Sequence, residues 1–201
     1  FKAGQYVSIK VTQPNVLRSY SISSNPSDQS RFKLMVDVTP QGIGTTYLQS
    51  LNKGDTVEVL GPLGRFMLSE GIENKSVVLI GTGSGVAPLL SMLQDLVLNI
   101  QTKQQVILLR GERFANHLIL QEQLYQMIKD KENIKLVNVI SRPTEGEGNY
   151  HGRVTDYLKN ESLPDNAEYY LCGRKEMIND VTEFLKQKGI SEELIFHEKF
   201  D

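Results

Sequence analysis

The sequence predicts two structural parts, a small antiparallel β-barrel followed by a doubly wound α/β domain with five parallel strands. In the first third of the chain, closely spaced segments alternate apolar and polar residues. From about residue 73, short apolar runs alternate with segments of helical periodicity, which is typical of strand–helix–strand units. A polar stretch containing Gly71 separates the two patterns. We therefore expect one domain over residues 1–72 and a second over residues 73–201.

The strands of the first part are predicted from alternation with a period of two. Phe32, Leu34 and Val36, for example, alternate with polar or charged neighbours. The candidate strands lie near 5–11, 19–23, 31–38, 56–60 and 65–68. Short strands spaced this closely and separated by turn-forming residues are typical of a small barrel.

Buried parallel strands are predicted in the second part, where apolar runs occur at 77–80, 106–109, 136–140, 169–171 and 194–196. Apolar residues at helical spacing predict helices over 116–130 and 175–188. Asn116 is a candidate cap for the first helix, and Gly189 a natural end for the second. Doubly wound sheets of this kind bind ligands at the carboxyl ends of their strands.

Composition excludes several classes of function. The 201 residues carry a net charge of −2, which gives no general electrostatic case for binding nucleic acid. Cys172 is the only cysteine, so the chain can form no internal disulfide and cannot by itself hold a cysteine-ligated iron–sulfur cluster. The three histidines are widely spaced and suggest no metal site. Apolar runs fall short of the roughly 20 residues that span a bilayer, so we expect a cytoplasmic protein without a membrane span.

The most informative segment is 18–24, which reads Arg-Ser-Tyr-Ser-Ile-Ser-Ser. Within one predicted strand it carries a cation, an aromatic ring and several hydroxyl groups. Arginine presents a charged fork to phosphate oxygens, and a phenol ring offers a flat stacking surface. A flavin nucleotide requires these groups together. The alternative is an exposed strand with a surface Arg18 and a core Tyr20.

Two later segments have the form of nucleotide-binding turns. Residues 81–88, Gly-Thr-Gly-Ser-Gly-Val-Ala-Pro, follow an apolar run and precede a helical pattern, as a phosphate-binding turn does. The spacing departs from G-x-G-x-x-G, since Pro88 stands where a third small residue is expected. Cys172 closes an apolar run just before Gly173. The alternatives are a purely structural turn and a buried, small apolar side chain.

The order of these motifs resembles the ferredoxin–NADP reductase family of flavin-dependent, pyridine-nucleotide oxidoreductases, over nearly the whole chain. The resemblance implies that Arg18 binds a flavin phosphate, that Tyr20 stacks on the ring and that Ser21 hydrogen-bonds near flavin N5. It assigns a dinucleotide pyrophosphate, and hence FAD, to a segment containing Gly42, Gly44, Thr45 and Thr46. The family's barrel has six strands, so we expect the first barrel strand to be absent from this chain.

The same resemblance assigns NADPH or NADH to the second part. The residues expected around this coenzyme are Gly81, Thr82, Gly83, Gly85, Pro88, Cys172, Gly173 and Met177. Thr82 is expected close to the nicotinamide, and Cys172 beside its C4 atom. The family often has prolines in the middle of its C-G-x-x-x-M motif, where this sequence has Arg174 and Lys175.

The choice between the two coenzymes depends on the residues expected at the adenosine 2′ position. Arg113 and Arg142 each follow a predicted strand, and Arg142 lies in a Ser-Arg-Pro segment that resembles a 2′-phosphate contact of some NADPH-using members. Glu112 could instead bind the free diol of NADH. The two coenzymes therefore both stay open, with NADPH favoured; surface charge is the alternative for both arginines.

The resemblance implies hydride transfer from nicotinamide C4 to flavin N5, and then release of single electrons to a ferredoxin-like or other iron–sulfur or haem partner. Ser21 and Cys172 would orient the two rings. Glu198 would tune the charge where they meet and Phe200 would cover the ring, unless the end of the chain simply frays. Three alternatives stay open: a free-flavin reductase, a nucleotide-binding electron relay without turnover, and a reductase module of a longer polypeptide.

Overall fold

The computed structural model describes residues 1–12, 16–39, 41–143 and 150–200. Its strands are β1 (Tyr6–Thr12), β2 (Val16–Ser21), β3 (Val59–Leu63), β4 (Ser76–Thr82), β5 (Val106–Glu112), β6 (Ile134–Ile140), β7 (Tyr150–His151), β8 (Ala167–Arg174) and β9 (Ile195–Phe200). Its α-helices are α1 (Ile43–Ser50), α2 (Val86–Gln94), α3 (Gln121–Ile128), α4 (Val154–Asn160) and α5 (Lys175–Gln187). The strands form two sheets, in the orders β2-β1-β3 and β7-β6-β5-β4-β8-β9.

The first sheet is antiparallel and forms part of the predicted barrel. Val7, Ile9 and Val11 of β1 are buried together with Ile22, because alternate residues of a strand point to the same face. The predicted strand at 56–60 forms three residues further on, as β3.

Two of the predicted strands in this half do not form. Residues 31–38 make only an isolated bridge, between Leu34 and Ile22, and residues 65–68 are irregular. Phe32 and Val38 are exposed, so the alternation that predicted the strand does not correspond to burial of one face. Alternation shows only that a segment has two faces. A strand also needs a neighbour with which to exchange backbone hydrogen bonds.

The second sheet is parallel throughout. All five predicted strands are confirmed, and a sixth, the two-residue β7, pairs with the end of β6. α5 closely matches its predicted range, whereas α3 begins at Gln121 rather than near 116. Asn116 lies in a separate 3-10 turn, and Leu120, with a φ of +56°, occupies the position that precedes α3.

Helix α2 lies at the centre of the molecule. Every residue from Val86 to Leu93 is buried, which is typical of a helix that is covered on all sides. One side of α2 packs on the parallel sheet. The hydrophobic core around the helix also includes Ala3 and Phe66 from the first half of the chain. A Cβ added to Gly4 would lie 2.5 Å from Met92 Cε, which shows how closely the N-terminal segment approaches the helix.

A buried carboxylate connects the two halves. Glu168 on β8 has only 2% of its surface exposed and accepts hydrogen bonds from Lys75 Nζ, Ser69 Oγ and Tyr170 Oη. Burial alone would raise the pKa of Glu168, but the bonds from Lys75, Tyr170 and Ser69 outweigh it and lower the pKa. Because Ser69 and Lys75 flank the junction between the halves, Glu168 fixes the connecting segment to the sheet.

A buried cation lies in the second sheet. Arg110 on β5 is 2% exposed, and burial lowers its pKa. Its guanidinium donates to Asn138 Oδ1 at 3.0 and 2.8 Å and to the Ile119 carbonyl at 2.9 Å. Neutral acceptors therefore hold the guanidinium on two sides and link β5 to β6 and to the segment before α3.

In the ranges that the structure describes, no helix combines the length and the hydropathy needed to cross a membrane. Within the same ranges, the histidine, cysteine and carboxylate side chains form no cluster that could hold a metal ion.

Replacing Glu168 by Gln is expected to lower the free energy of unfolding at neutral pH by about 1–3 kcal/mol, since the network of donors around it loses its negative charge and one of its two acceptor oxygens. The pKa of Glu168 is lower in the folded protein than in the unfolded chain. Its stabilisation is therefore present above the unfolded pKa and is lost as the pH falls through the folded pKa. Urea unfolding of both proteins across this acid range measures the difference, which should shrink towards low pH.

Glu161→Gln is the matched control, because Glu161 forms an exposed ion pair with Lys135. We expect that change to cost less than about 1 kcal/mol. Equal losses in the two variants, or a Glu168→Gln deficit that does not vary with pH, would contradict the role given to Glu168.

Candidate active site

Residues of five neighbouring strands form one row across the parallel sheet, near the carboxyl ends of the strands. By strand register, the row contains Asn138, Arg110, Gly81, Cys172 and Glu198, on β6, β5, β4, β8 and β9. Residues paired in this way lie on the same face of a sheet. Cys172 belongs to the core that contains α2, so the row faces the first half of the chain. Polar side chains of several strands thus lie at the end of the sheet where doubly wound sheets bind ligands.

The turn that follows β4 packs backbone against backbone on the end of β8. A Cβ added to Gly85 would lie 2.5 Å from both the Cys172 carbonyl oxygen and Gly173 Cα. One added to Gly173, whose φ is +141°, would lie 2.5 Å from Thr82 Oγ1 and 3.2 Å from Met177 Cε. Side chains at the two glycines would force the turn and the strand end apart. The structure therefore brings together the two motifs that the sequence analysis assigned to one coenzyme.

Two buried oxygens near the carboxyl ends of these strands have no hydrogen-bond partner among the described residues, Thr82 Oγ1 and Glu198 Oε2. Leaving a buried polar atom unpaired costs about 1–3 kcal/mol, so such atoms are rare unless a ligand or water pairs with them. Thr82 was predicted from the glycine-rich turn and Glu198 from the C-terminal segment. β8 and β9 place Glu198 in register with Cys172.

Burial controls the charges of this group. Burial raises the pKa of the Cys172 thiol far above its usual range, and the charge of Glu198 raises it further. Burial also raises the pKa of Glu198. Cys172 is therefore a neutral thiol at physiological pH, which suits a packing surface and not a nucleophile. Glu198 is placed to hold a proton more firmly than an exposed carboxylate does.

On the first half of the chain, Arg18 and Tyr20 lie on the same face of β2, because they are two residues apart. Both approach the start of α1, where a Cβ added to Gly44 would lie 2.2 Å from Tyr20 Oη and 2.9 Å from Arg18 Cγ. Arg18 is exposed and donates to the carbonyl of its neighbour Leu17. Among the described residues, no carboxylate lies within ion-pair distance of its guanidinium.

Ser21 and Thr45 have more restricted geometry than the sequence indicated. Ser21 is buried and points to the face of β2 opposite Tyr20, because it is the next residue along the strand. Thr45 Oγ1 accepts a hydrogen bond from the Gly42 N–H at 2.8 Å and donates to the Gly42 carbonyl at 3.0 Å. Thr45 therefore caps its own helix, whereas Thr46 is exposed.

The two predicted arginines of the adenosine side are neighbours. The Arg142 N–H donates to the Arg113 carbonyl at 2.8 Å, and both side chains are exposed. Glu112 lies beside them. Burial raises the pKa of Glu112, His117 and Arg110 lower it, and Asp37 of the first half raises it. Because Asp37 affects the pKa of Glu112, the carboxyl end of β5 faces the residues near 37 in the first half of the chain.

The remaining predicted residues flank these groups. Pro88 is buried in the first turn of α2, where proline is well tolerated because its missing N–H needs no partner. Phe200 ends β9, half-buried against the core that contains Cys172. Gly81 ends the buried part of β4, and Gly83 lies in the turn that follows.

Sequence reasoning missed Arg110 and Asn138. The available signal was a charged residue, Arg110, directly after the apolar run 106–109 of β5. A charge at such a position is costly to bury unless it finds hydrogen-bond partners, and it therefore marks a specific interaction. The partner on β6 could not be identified before the register of the two strands was known.

Comparisons with known proteins agree with this geometry. Residues 1–68 match the family described as the oxidoreductase FAD-binding domain, and residues 79–183 match the oxidoreductase NAD-binding domain. One component of the Na(+)-translocating NADH-quinone reductase of Haemophilus ducreyi is 30% identical over 100% of this chain and 52% of its own length. The Bacillus subtilis flavohemoprotein is 31% identical over 100% of this chain and 51% of its own. The chain thus spans about half the length of the curated relatives it matches.

Solved structures show the same fold. The Amycolatopsis cytochrome P450 reductase superposes with a TM-score of 0.90 at 29% identity, covering 100% of this chain and 61% of that protein. A flavohemoglobin from Malassezia yamatoensis, with bound FAD and heme, gives a TM-score of 0.85 at 26% identity, covering 100% and 52%. Both halves of the chain, their order and their motifs are therefore those of one family. The chain belongs to the ferredoxin–NADP reductase family of FAD- and NAD-binding oxidoreductases.

Proposed function

We propose that the chain moves a hydride from NADPH or NADH to FAD and passes the electrons singly to an acceptor protein or domain. The observation that carries the proposal is the packing of the glycine turn after β4 against Cys172 and Gly173 at the end of β8. Thr82 Oγ1 is buried there without a partner among the described residues, and so is Glu198 Oε2 on β9, in register with the neutral Cys172 thiol. When bound, the flavin and the nicotinamide supply the redox chemistry itself. The protein's part is to hold them in line and to control charge.

The first half, which we propose as a domain over 1–72, has the groups that FAD requires. Arg18 offers an exposed guanidinium for a phosphate, and Tyr20 lies beside it on the same face of β2. The start of α1 carries no acidic residue, which leaves its N–H groups suited to a pyrophosphate. Gly44 lets these side chains approach the helix closely, and Ser21 reaches the edge of the ring.

The second half, which we propose as a domain over 73–201, has the groups that a nicotinamide coenzyme requires. α2 also begins without an acidic residue, directly after the glycine turn. Thr82 Oγ1 is free to hydrogen-bond a carboxamide, with Met177 next to it beside Gly173, and the buried Cys172 belongs to the apolar packing beneath the site. Burial raises the pKa of Glu198 on the neighbouring strand, and Phe200 lies at the end of the same strand.

Two observations bear on the coenzyme and on the acceptor. Arg113 and Arg142 are adjacent and exposed, which favours the 2′-phosphate of NADPH. The relatives carry names that refer to a quinone reductase, a flavohemoprotein and a cytochrome P450 reductase. We infer that the acceptor is a one-electron centre such as a ferredoxin-like iron–sulfur protein or a haem domain.

The central experiment measures flavin retention and reduction. The reconstituted protein is expected to keep FAD through gel filtration, to lose its yellow colour with NADPH or NADH under anaerobic conditions, and to reduce ferricyanide. Arg18→Ala should weaken FAD binding about tenfold or more, as expected for loss of a charge-assisted hydrogen bond. Titration of the flavin-free protein with FAD measures this affinity.

Arg31→Ala is the control, because Arg31 is exposed and paired with Asp28. Turnover with loss of flavin on the column would indicate a free-flavin reductase instead. Retained flavin that the coenzyme does not bleach would indicate a relay without turnover. A protein that binds no FAD would overturn the proposal.

Glu198→Gln is expected to make the protein more stable than the wild type at about pH 8 and equally stable near the unfolded carboxyl pKa of about 4.3. Burial raises the folded pKa of Glu198, so the folded state binds more protons than the unfolded chain, and wild-type stability falls as the pH rises through that interval. Glutamine does not titrate. Urea unfolding across this range gives the difference, with the exposed Glu176→Gln as control; parallel pH curves would contradict the burial of this carboxyl group.

The double variant Arg113→Ala/Arg142→Ala is expected to lower kcat/KM for NADPH about 100-fold or more, since each lost charge-assisted contact to a phosphate costs about 1.5–3 kcal/mol. The value for NADH should change little. Arg153→Ala, at an exposed arginine before α4, serves as the control. Equal losses for both coenzymes would show that the pair does not read the 2′-phosphate.

A further inference from the structure

Polar side chains of α2 and of the turn that follows it cross to the first half of the chain. Ser91 Oγ donates to the Ser24 carbonyl at 2.7 Å, and Gln94 Nε2 donates to the Ser23 carbonyl at 2.8 Å. Asn99, in the π-helical turn Asp95–Ile100, donates to Asn25 Oδ1 at 2.7 Å. Three successive residues of one half are therefore held by one continuous helical element of the other.

These contacts are costly to lose. Ser91 has 0% of its surface exposed, and Ser23 is buried as well. The two carbonyl oxygens accept from side chains that lie three positions apart, on one face of α2. Removing either donor would leave a part-buried carbonyl oxygen without this partner, which costs more than the hydrogen bond itself contributes.

Both ends of this connection lead to the candidate active site. α2 begins directly after the glycine turn that contains Thr82 and Gly85. The segment 23–25 follows directly after β2, which carries Arg18 and Tyr20. Backbone bonds also fix this segment within its own half, because the Ile22 N–H donates to the Gln5 carbonyl and the Ser23 N–H to the Lys33 carbonyl.

A short helix is a stiff spacer, with a rise of about 1.5 Å per residue. Between Thr82 and Ser91 the chain contains the tight glycine turn and two turns of α2, all of it packed in the central core. A displacement of segment 23–25 relative to the glycine turn must therefore break the bonds from Ser91 and Gln94. Leu89 and Met92 pack the two halves together in this core. Their apolar contacts do not fix the alignment of the halves as closely as the hydrogen bonds do.

We propose that Ser91 and Gln94 are positioning residues, which set the distance between the flavin strand β2 and the nicotinamide turn after β4. This inference rests on the proposed function and adds to it the element that aligns the two sites. Productive transfer between two bound rings needs reacting atoms about 3–3.5 Å apart, and an error of about 1 Å can cost roughly 100-fold in rate. Neither residue is among those proposed to contact the flavin or the nicotinamide.

The test compares Ser91→Ala and Gln94→Leu with the wild type, and uses Gln126→Leu as the matched control. Gln126 is an exposed glutamine of α3 that donates to Glu122 of its own helix. In the FAD-loaded protein, rapid mixing with the coenzyme should give a limiting rate of flavin reduction lower by about 10–100-fold, with unchanged coenzyme affinity and FAD content. Reduction by dithionite, which needs no alignment with a coenzyme, should keep its wild-type rate.

A second readout does not depend on activity. In the flavin-free protein, hydrogen exchange of the backbone amides of Ile22 and Ser23 should be faster in both variants than in the wild type and in Gln126→Leu. Gln94 is only half-buried, so Gln94→Leu remains readable if the buried Ser91→Ala variant does not fold.

The outcomes separate cleanly. Unchanged reduction rates, loss of FAD from the variants, or slower reduction without faster exchange would each overturn the positioning role. A wild-type protein that binds no FAD would overturn the proposed function instead. The exchange measurement would then still show whether Ser91 and Gln94 hold segment 23–25.

Discussion

The close approach of a backbone turn to a strand end is the constraint on which the rest of this molecule depends. The turn after β4 lies against the end of β8 because Gly85 and Gly173 carry no side chain between them. This contact brings Thr82, Cys172 and Met177 close together, and the register of β8 with β9 adds Glu198 on the face of Cys172. Two buried oxygens without partners among the described residues, Thr82 Oγ1 and Glu198 Oε2, therefore lie at the carboxyl ends of the strands, where sheets of this kind bind ligands.

Helix α2 extends this constraint to the other half of the protein. The helix starts directly after the glycine turn that follows β4, and it packs on the N-terminal segment. Ser91 and Gln94, near its C-terminal end, hold the segment after β2. Glu168 fixes the connecting segment independently, through Ser69 and Lys75. Two separate polar attachments and one shared core therefore align the halves, so the site at their junction depends on residues that touch no ligand.

Sequence reasoning succeeded where a local pattern was sufficient. The predicted runs of β4, β5 and β8 are unbroken apolar stretches because both faces of these strands are covered, and a glycine-rich turn follows β4 directly. The strand at 31–38 did not form, because alternation does not say whether a partner strand exists. Ser91 and Gln94 were not found, since their partners lie 67 and 71 positions away and only the packed structure brings them near. Arg110 gave a signal, but its acceptor on β6 depends on strand register.

The burial of Cys172 makes this chain its own reporter of local motion. It holds the only sulfhydryl of the sequence, 0% exposed, in a neutral form that alkylating reagents attack slowly. A maleimide can therefore react only from molecules in which the packing around Cys172 has opened, and the reaction rate reports how often it does so. No engineered label is needed to follow how tightly a ligand closes this junction.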